Sequence, residues 1–239
     1  MMWDLPMTKA TAIKRYKRFL TDCTLESGEE ITVHCPNSGR MTGCIEEGAP
    51  ILISKSPNLK RKYAYTLELV KMPDSWICVN TQQANRVGAE ILEAGLIPEL
   101  QGYQSCRREV TYPNCTSRVD IVLTDELGHE CFVEIKSCTL VENGIAKFPD
   151  APTVRGQKHL DDLVNLIPLG IRPVVLFLVL RNDAKSFEPA VDIDPKFAAK
   201  LRQAHQAGVE VLAYHIETSP GGLFLKEKLC VDLNRNFLL

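Results

Sequence analysis

No Cys-x-x-Cys pair occurs among the 9 cysteines, and their number is odd. The missing pair argues against a zinc knuckle, and the odd count against a secreted disulfide framework. Reduced, mostly buried thiols are the expected state. There is no long apolar run. The most apolar stretch, residues 174–180, is far too short to span a bilayer and reads as a buried strand. The first ten residues carry Asp4 and make a poor signal peptide, so the expected location is the cytoplasm, with no membrane partner. Neither a phosphate loop nor a Gly-x-Ser-x-Gly elbow is present, which leaves a sugar-phosphate or small-molecule enzyme without a supporting motif. Repeats and low-complexity segments are also missing. The net charge of −2 does not by itself announce a nucleic-acid partner.

The chain has 239 residues, 45% hydrophobic and 24% charged, enough to bury the core of one large domain or two smaller ones. Its first third is mildly basic and the remainder acidic, a distribution that fits a DNA-touching module joined to a metal site. Five short strands are expected in the first part, over residues 12–20, 30–35, 51–54, 63–71 and 76–80, divided by turn signals at 26–28, 37–39, 47–48, 57–58 and 73–74. Five strands in about 80 residues suggest a small barrel, OB-like or SH3-like.

The pattern changes near Asn80. A helix is expected over 83–94, with Ala84, Val87, Ile91 and Leu92 on one side. Extended segments follow at 108–112, 118–124 and 130–137, then a helix over 153–167, a strand at 174–180, a helix over 194–207 and a strand at 209–215. The alternation predicts an α/β fold with helices over a mixed sheet. The expected domains are therefore 1–82 and 83–239.

The chemistry is concentrated in Ser117-Arg118-Val119-Asp120 and Val133-Glu134-Ile135-Lys136. Side chains alternate along a strand, so Glu134 and Lys136 share one face while Val133 and Ile135 take the other. A hairpin partner can bring Asp120 beside Glu134. Two carboxylates and the Ile135 carbonyl form an oxygen-rich donor set suited to Mg²⁺ or Mn²⁺. Lys136 could orient a water or neutralise charge on a phosphoryl group. The competing reading is a salt-bridged hairpin.

Asp120 with Glu134-Ile135-Lys136 resembles the D…(D/E)-x-K motif of restriction-endonuclease-like nucleases. The wider text is more specific. Pro36-Asn37-Ser38-Gly39-Arg40-Met41, Ser117 to Asp120, Val133 to Leu140 and Phe148 to Leu160 closely resemble the sugar fermentation stimulation protein A (SfsA) family, from about residue 12 to the C-terminus. The resemblance implies an N-terminal OB-like barrel, a C-terminal restriction-endonuclease-like domain, DNA binding and a link to regulation of sugar (maltose) metabolism. Such a fold does not by itself prove cleavage.

Glu90 on the first helix is a further acidic candidate for that layout, with Glu93 as its competitor. A surface pair with Arg86 is the alternative. Gln157 and Lys158 sit in the first turns of the second helix, with Arg155 at its N-terminus, a natural place for a phosphate. His159 is read as structural before catalytic. Asp150, in the stiff Phe148-Pro149-Asp150-Ala151-Pro152 connection, suits an Asx turn better than a metal. For DNA contact the front domain offers Arg15, Arg18, Arg40, Lys60, Arg61 and Lys62, with Tyr16, Phe19, Tyr63 and Tyr65 interleaved. A homodimer is compatible with all of this.

Overall fold

The computed structural model describes residues 1–113 and 117–234. The front of the chain forms β1 (Met7–Tyr16), β2 (Leu20–Leu25), β3 (Glu30–His34), β4 (Pro50–Lys55), β5 (Tyr65–Met72) and β6 (Ser75–Cys78). They pair in the order β3-β2-β1-β4-β5-β6, and a parallel contact, His34 with Thr66, joins β3 back to β5 and closes the ring. Its interior is lined by Ala10, Ala12, Cys23, Val33, Ile51, Ile53 and Leu67, the inward set of each strand's alternation.

One expected strand is corrected here. Residues 12–20 are not continuous, because the chain reverses at Lys17 and Arg18, both with positive φ (49° and 63°), and Leu20 pairs back to Tyr16. Such a turn normally advertises itself with Asn-Gly. Two basic residues gave no such signal, so the expected strand ran through the reversal and stopped at Leu20, where β2 begins.

α1 (Gln82–Glu93) leads into the second half. There β7 (Ser105–Thr111), β8 (Arg118–Thr124) and β9 (Glu130–Cys138) form an antiparallel meander. After β10 (Leu140–Glu142) and β11 (Ile145–Phe148) come α2 (Val154–Val164), β12 (Arg172–Val179), β13 (Ser186–Pro189), α3 (Pro195–Ala207), β14 (Glu210–Ser219), β15 (Gly222–Lys228) and β16 (Cys230–Val231). The main sheet runs β15-β14-β12-β9-β8-β7, with β9, β12 and β14 parallel. A smaller sheet runs β10-β11-β13-β16. The helix expected over 153–167 ends at Val164, and a separate short 3-10 turn follows at Ile167–Leu169.

Alternation along β9 divides the core. Cys131, Val133 and Ile135 pack with α1 and with Leu52 and Leu69 of the barrel; Phe132 and Cys138 pack with α2 and α3. Gly88 in the middle of α1 permits the approach of helix to sheet, since a Cβ there would lie 2.5 Å from the Ile135 side chain. On the other face, Phe177 stacks on Phe187 with ring centres 4.2 Å apart, and Phe148 packs against both Phe177 and Phe197. α3 is capped by Asp194, which accepts from Phe197 N, and is ended by Gly208 in the left-handed region.

The two halves meet along several contacts. Cys78 N donates to Leu180 O, extending the end of β12 toward β6. Asn37 Nδ2 donates to Val79 O, and Thr81 Oγ1 to Pro36 O. Met41 N donates to Asp150 Oδ2 at 3.0 Å.

Candidate metal centre

The β8–β9 ladder stops at the Ile121–Val133 pair. One step further, where a backbone carbonyl would ordinarily receive the Ile135 N–H, the Asp120 carboxylate takes it at 2.7 Å. The strands part at this point, and Asp120 fills the fork. Its other oxygen accepts from Asn85 Nδ2 of α1 at 2.7 Å.

Glu134 lies on the α2 side of β9 with its side chain 3% exposed. Lys136 Nζ donates to Glu134 Oε1 at 2.7 Å, as the two-residue spacing along a strand requires. His159 of α2 reaches the same oxygen through Nδ1. Arg155 Nε donates to His159 Nε2 at 3.3 Å. Lys136 Nζ lies 3.3 Å from the same Nδ1, so the imidazole, the ammonium and the Glu134 carboxylate form one compact cluster. Tyr112 Oη, at the end of β7, donates to Glu134 Oε2 at 3.3 Å.

The two carboxylates are electrostatically opposite cases. Burial pushes Asp120 up to about 6 from an ordinary 3.8, and the Glu134 charge adds to the push. Burial also acts to raise Glu134, but the Lys136 charge and the His159 hydrogen bond outweigh it and hold that carboxyl below its usual range. Burial and the Glu134 charge together raise Tyr112, so its phenol stays protonated. The result is one committed anion, one carboxylate poised near neutrality and one compact cation.

The structure brings Asp120, Glu134, Ile135 and Lys136 together. Glu90 is not part of this cluster. It lies on the half-exposed side of α1, 3.7 Å from the Met1 amino group and 3.8 Å from Arg86 Nε, so the pairing with Arg86 is the observed one. Asn85 is the α1 residue that touches the site. The mid-helix Gly88 three residues later was its signal, because positions i and i+3 share a helix face. Gln157 is also elsewhere: its Nε2 donates to both oxygens of Asp194, tying α2 to the α3 cap. His159, two residues on, occupies the place expected of Gln157. Tyr112 was missed entirely, since a single aromatic at a strand end carries no pattern.

Among the basic residues, Arg15 is committed internally. Its guanidinium donates to the carbonyls of Asn37, Gly39 and Arg40 and shapes that loop. Lys158 pairs with Asp162 and Ser117, and Arg61 with Thr66. Lys62 lies 5.4 Å from the Tyr63 ring centre. Lys60, Arg18 and Arg40 are exposed. Asp150 holds Met41 N and so serves the loop rather than the carboxylate cluster.

The model of the SfsA N-terminal OB domain matches residues 13–79, and that of the sugar fermentation stimulation protein RE domain matches 82–222. The chain belongs to the SfsA family. A sugar fermentation stimulation protein homolog from Acidithiobacillus ferrooxidans is 52% identical over 221 residues, covering 92% of this chain and 95% of its own. The homolog from Geotalea uraniireducens is 48% identical over 235 residues, 98% and 100% of the two chains. Pyrococcus furiosus SfsA, solved in complex with Ca²⁺, has a TM-score of 0.88 at 27% identity, covering 97% and 98%. The SfsA fold is thus an OB barrel joined to a restriction-endonuclease-type α/β domain. No helix among the described residues is long and apolar enough to cross a membrane.

Proposed function

We propose that this SfsA protein is a divalent-metal-dependent nuclease that hydrolyses phosphodiester bonds in DNA. The observation that carries the reading is the pair of buried carboxylates, Asp120 and Glu134, held beside Lys136 at the fork of β8 and β9. Burying two like charges together costs stability, and nothing in the packing of this fold requires it.

The donor set fits a hard cation. Asp120, Glu134 and the Ile135 carbonyl would supply oxygen alone, each carboxylate oxygen using a lone pair beyond the one that its protein donor takes, and two carboxylates would leave places for substrate phosphate and water, as Mg²⁺ or Mn²⁺ sites commonly do. The Ca²⁺ bound by the Pyrococcus furiosus relative supports an oxygen-ligated site. A cation held there would polarise a phosphodiester oxygen as a Lewis acid. The protein's own groups do the rest. Lys136 offers a cation to the charge that develops on the phosphoryl oxygens, and its second donor position can orient an attacking water. His159 and Tyr112 hold Glu134 in one rotamer. Arg155, hydrogen-bonded to His159, places a second cation at the start of α2.

The test is a strand-cleavage assay on labelled single-stranded, duplex and branched DNA with Mg²⁺, Mn²⁺ or EDTA, comparing the unaltered chain with Glu134→Gln and Lys136→Ala. Metal-dependent cutting that both variants lose by about 10²-fold or more supports the reading. The non-cleaving alternative, a DNA-binding regulator on the same scaffold in keeping with the relatives' sugar-fermentation name, is favoured by one observation. α1 presents an amide, Asn85, to Asp120 rather than a third carboxylate. Clean binding without cutting on every substrate selects that alternative.

A further inference from the structure

We infer that the cleft between the barrel and the α/β domain, at the end of the strand that carries Glu134 and Lys136, seats the phosphates of one single nucleic-acid strand. The inference deepens the nuclease reading and rests on it for the direction in which the strand runs.

The cleft has a volume of about 610 Å³. Its barrel wall carries Arg18 and the Asn37–Arg40 loop; its α/β wall carries Ser137, Thr139 and the 148–153 connection. The free charge on this lining is positive. Arg18 and Arg40 are exposed, and neither has an acidic partner among the described residues. Asp150 keeps its negative charge while one of its oxygens accepts from Met41 N, and Lys147 is paired with Glu142 and Glu188, so Arg15, Arg18 and Arg40 still leave the lining net positive.

Donors without acceptors accumulate at the same place. Arg15 gathers the carbonyls of Asn37, Gly39 and Arg40, and Asn37 Oδ1 takes Gly39 N. Among the described residues, the amide N–H groups of Ser38 and Arg40 donate to no protein acceptor. Ser137 Oγ is buried without a hydrogen-bond partner. It stands one residue beyond Lys136 on β9 and faces the opposite side of the strand, so the cleft lies on the barrel side of the strand end that carries Glu134 and Lys136. Unpaired N–H and O–H groups beside free guanidinium groups are what phosphate oxygens satisfy.

The β1–β2 turn adds the preference for an unpaired strand. Lys17 and Arg18 hold left-handed backbone that Gly or Asn would take with less strain, and Phe19 beside them is 45% exposed. An exposed ring next to a cation is a stacking platform for an unpaired base, whose face is hidden inside a duplex. The volume agrees. It is that of a small-ligand pocket rather than of a channel for two paired backbones. The Met41–Asp150 contact pins the walls together.

The experiment measures fluorescence anisotropy of a fluorescein-labelled deoxythymidine oligonucleotide and of a labelled duplex of equal length, in EDTA, across a salt series. Arg18→Ala/Arg40→Ala should weaken the single strand about tenfold or more, lower its salt slope by about 1.4 and change the duplex far less, since each lost phosphate contact removes about 0.7 from the slope. Phe19→Ala should weaken the strand without changing that slope. Both variants should keep the unaltered thermal midpoint, because they remove exposed side chains.

Equal losses on strand and duplex, no loss on the strand, or no strand binding by the unaltered chain would overturn the inference. Thymidine monophosphate binding as tightly as the oligonucleotide also overturns it and reassigns the cleft to a small phosphate ligand. Failure of the two readings is separable. Arginine-dependent strand binding without any metal-dependent cleavage sinks the nuclease reading alone. Cleavage with arginine-independent strand binding sinks the cleft alone.

Discussion

Replacing Asp120 with Asn should stabilise the protein at neutral pH and lose that advantage in acid. Asp120 is pushed from 3.8 to about 6, chiefly by burial and then by the Glu134 charge. Below pH 3.8 the folded and unfolded chains both hold the proton, and the residue contributes no difference. Between 3.8 and about 6 the unfolded chain has released its proton while the folded chain has not, so stability falls as pH rises. Above about 6 the full penalty is present, about 3 kcal/mol from a difference of roughly two pH units. Asn keeps the shape but carries one acceptor where the carboxylate has two, so it can satisfy Ile135 N or Asn85 Nδ2 but not both. That loss costs about 1 kcal/mol. The net gain at pH 7.5 in EDTA is about 1–2 kcal/mol, or roughly 2–8 °C in midpoint for a chain of this size. At pH 4 the gain disappears and the lost hydrogen bond leaves the variant about 1 kcal/mol weaker. Thermal unfolding at the two pH values reads both signs. Adding Mg²⁺ at pH 7.5 should raise the unaltered chain, by about 2.7 kcal/mol at a hundredfold excess over Kd, and leave the variant unmoved. An Asn variant that is less stable than the parent at pH 7.5 in EDTA would refute the claim that this carboxylate is penalised by its surroundings.

Three further outcomes follow from the same contacts. Glu90→Gln should leave stability within about 0.5 kcal/mol and strand cleavage unchanged, since among the described residues Glu90 forms ion pairs with Met1 and Arg86 at a half-exposed surface; a large loss of cleavage would place it in the site after all. Gly39→Ala should destabilise by about 1–3 kcal/mol, because its Cβ would lie 2.2 Å from an Asp150 carboxylate oxygen, and chemical denaturation of Gly39→Ala beside Gly39→Ala/Asp150→Ala should show partial relief in the double variant. Asp194→Ala removes the acceptor of Phe197 N, Thr153 N and Gln157 at once. It should cost about 2 kcal/mol or more in denaturant unfolding, beyond the usual loss of a single helix cap.

The carboxylate site was legible where local periodicity decides geometry. Glu134 and Lys136 had to share a face, and the hairpin brought Asp120 to them. α3 was legible from its Asp-Pro start and Gly stop. The misses are tertiary. Glu90 and Asn85 sit on the same helix, and only the closeness of Gly88 to Ile135 decides which of them reaches β8. Gln157 and His159 differ by two helical positions, about 200° around the axis. One therefore faces the α3 cap while the other faces Glu134. The short strands β10, β11, β13 and β16 carry too few residues for alternation to register. The Lys17–Arg18 reversal violated the turn chemistry on which its detection depends.

These misses share a physical origin that bears on how the protein works. Asn85 and His159 come from helices on opposite faces of the sheet, and both close on strands that the sequence shows plainly. The strands carry the charges. The helices decide which charge is neutralised and which is left poised, through a neutral amide at Asp120 and an imidazole at Glu134. The barrel then adds its own constraint. The loop around Asn37 is bound to Val79 on one side and to Asp150 on the other, so the width of the cleft is fixed by contacts from both halves. A strand entering it meets a pre-formed wall of donors rather than a surface it must organise. Both halves must therefore be folded against each other before the cleft can act, whereas a fragment containing the α/β domain alone would keep Asp120, Glu134 and Lys136 while losing Arg18, Phe19 and Arg40.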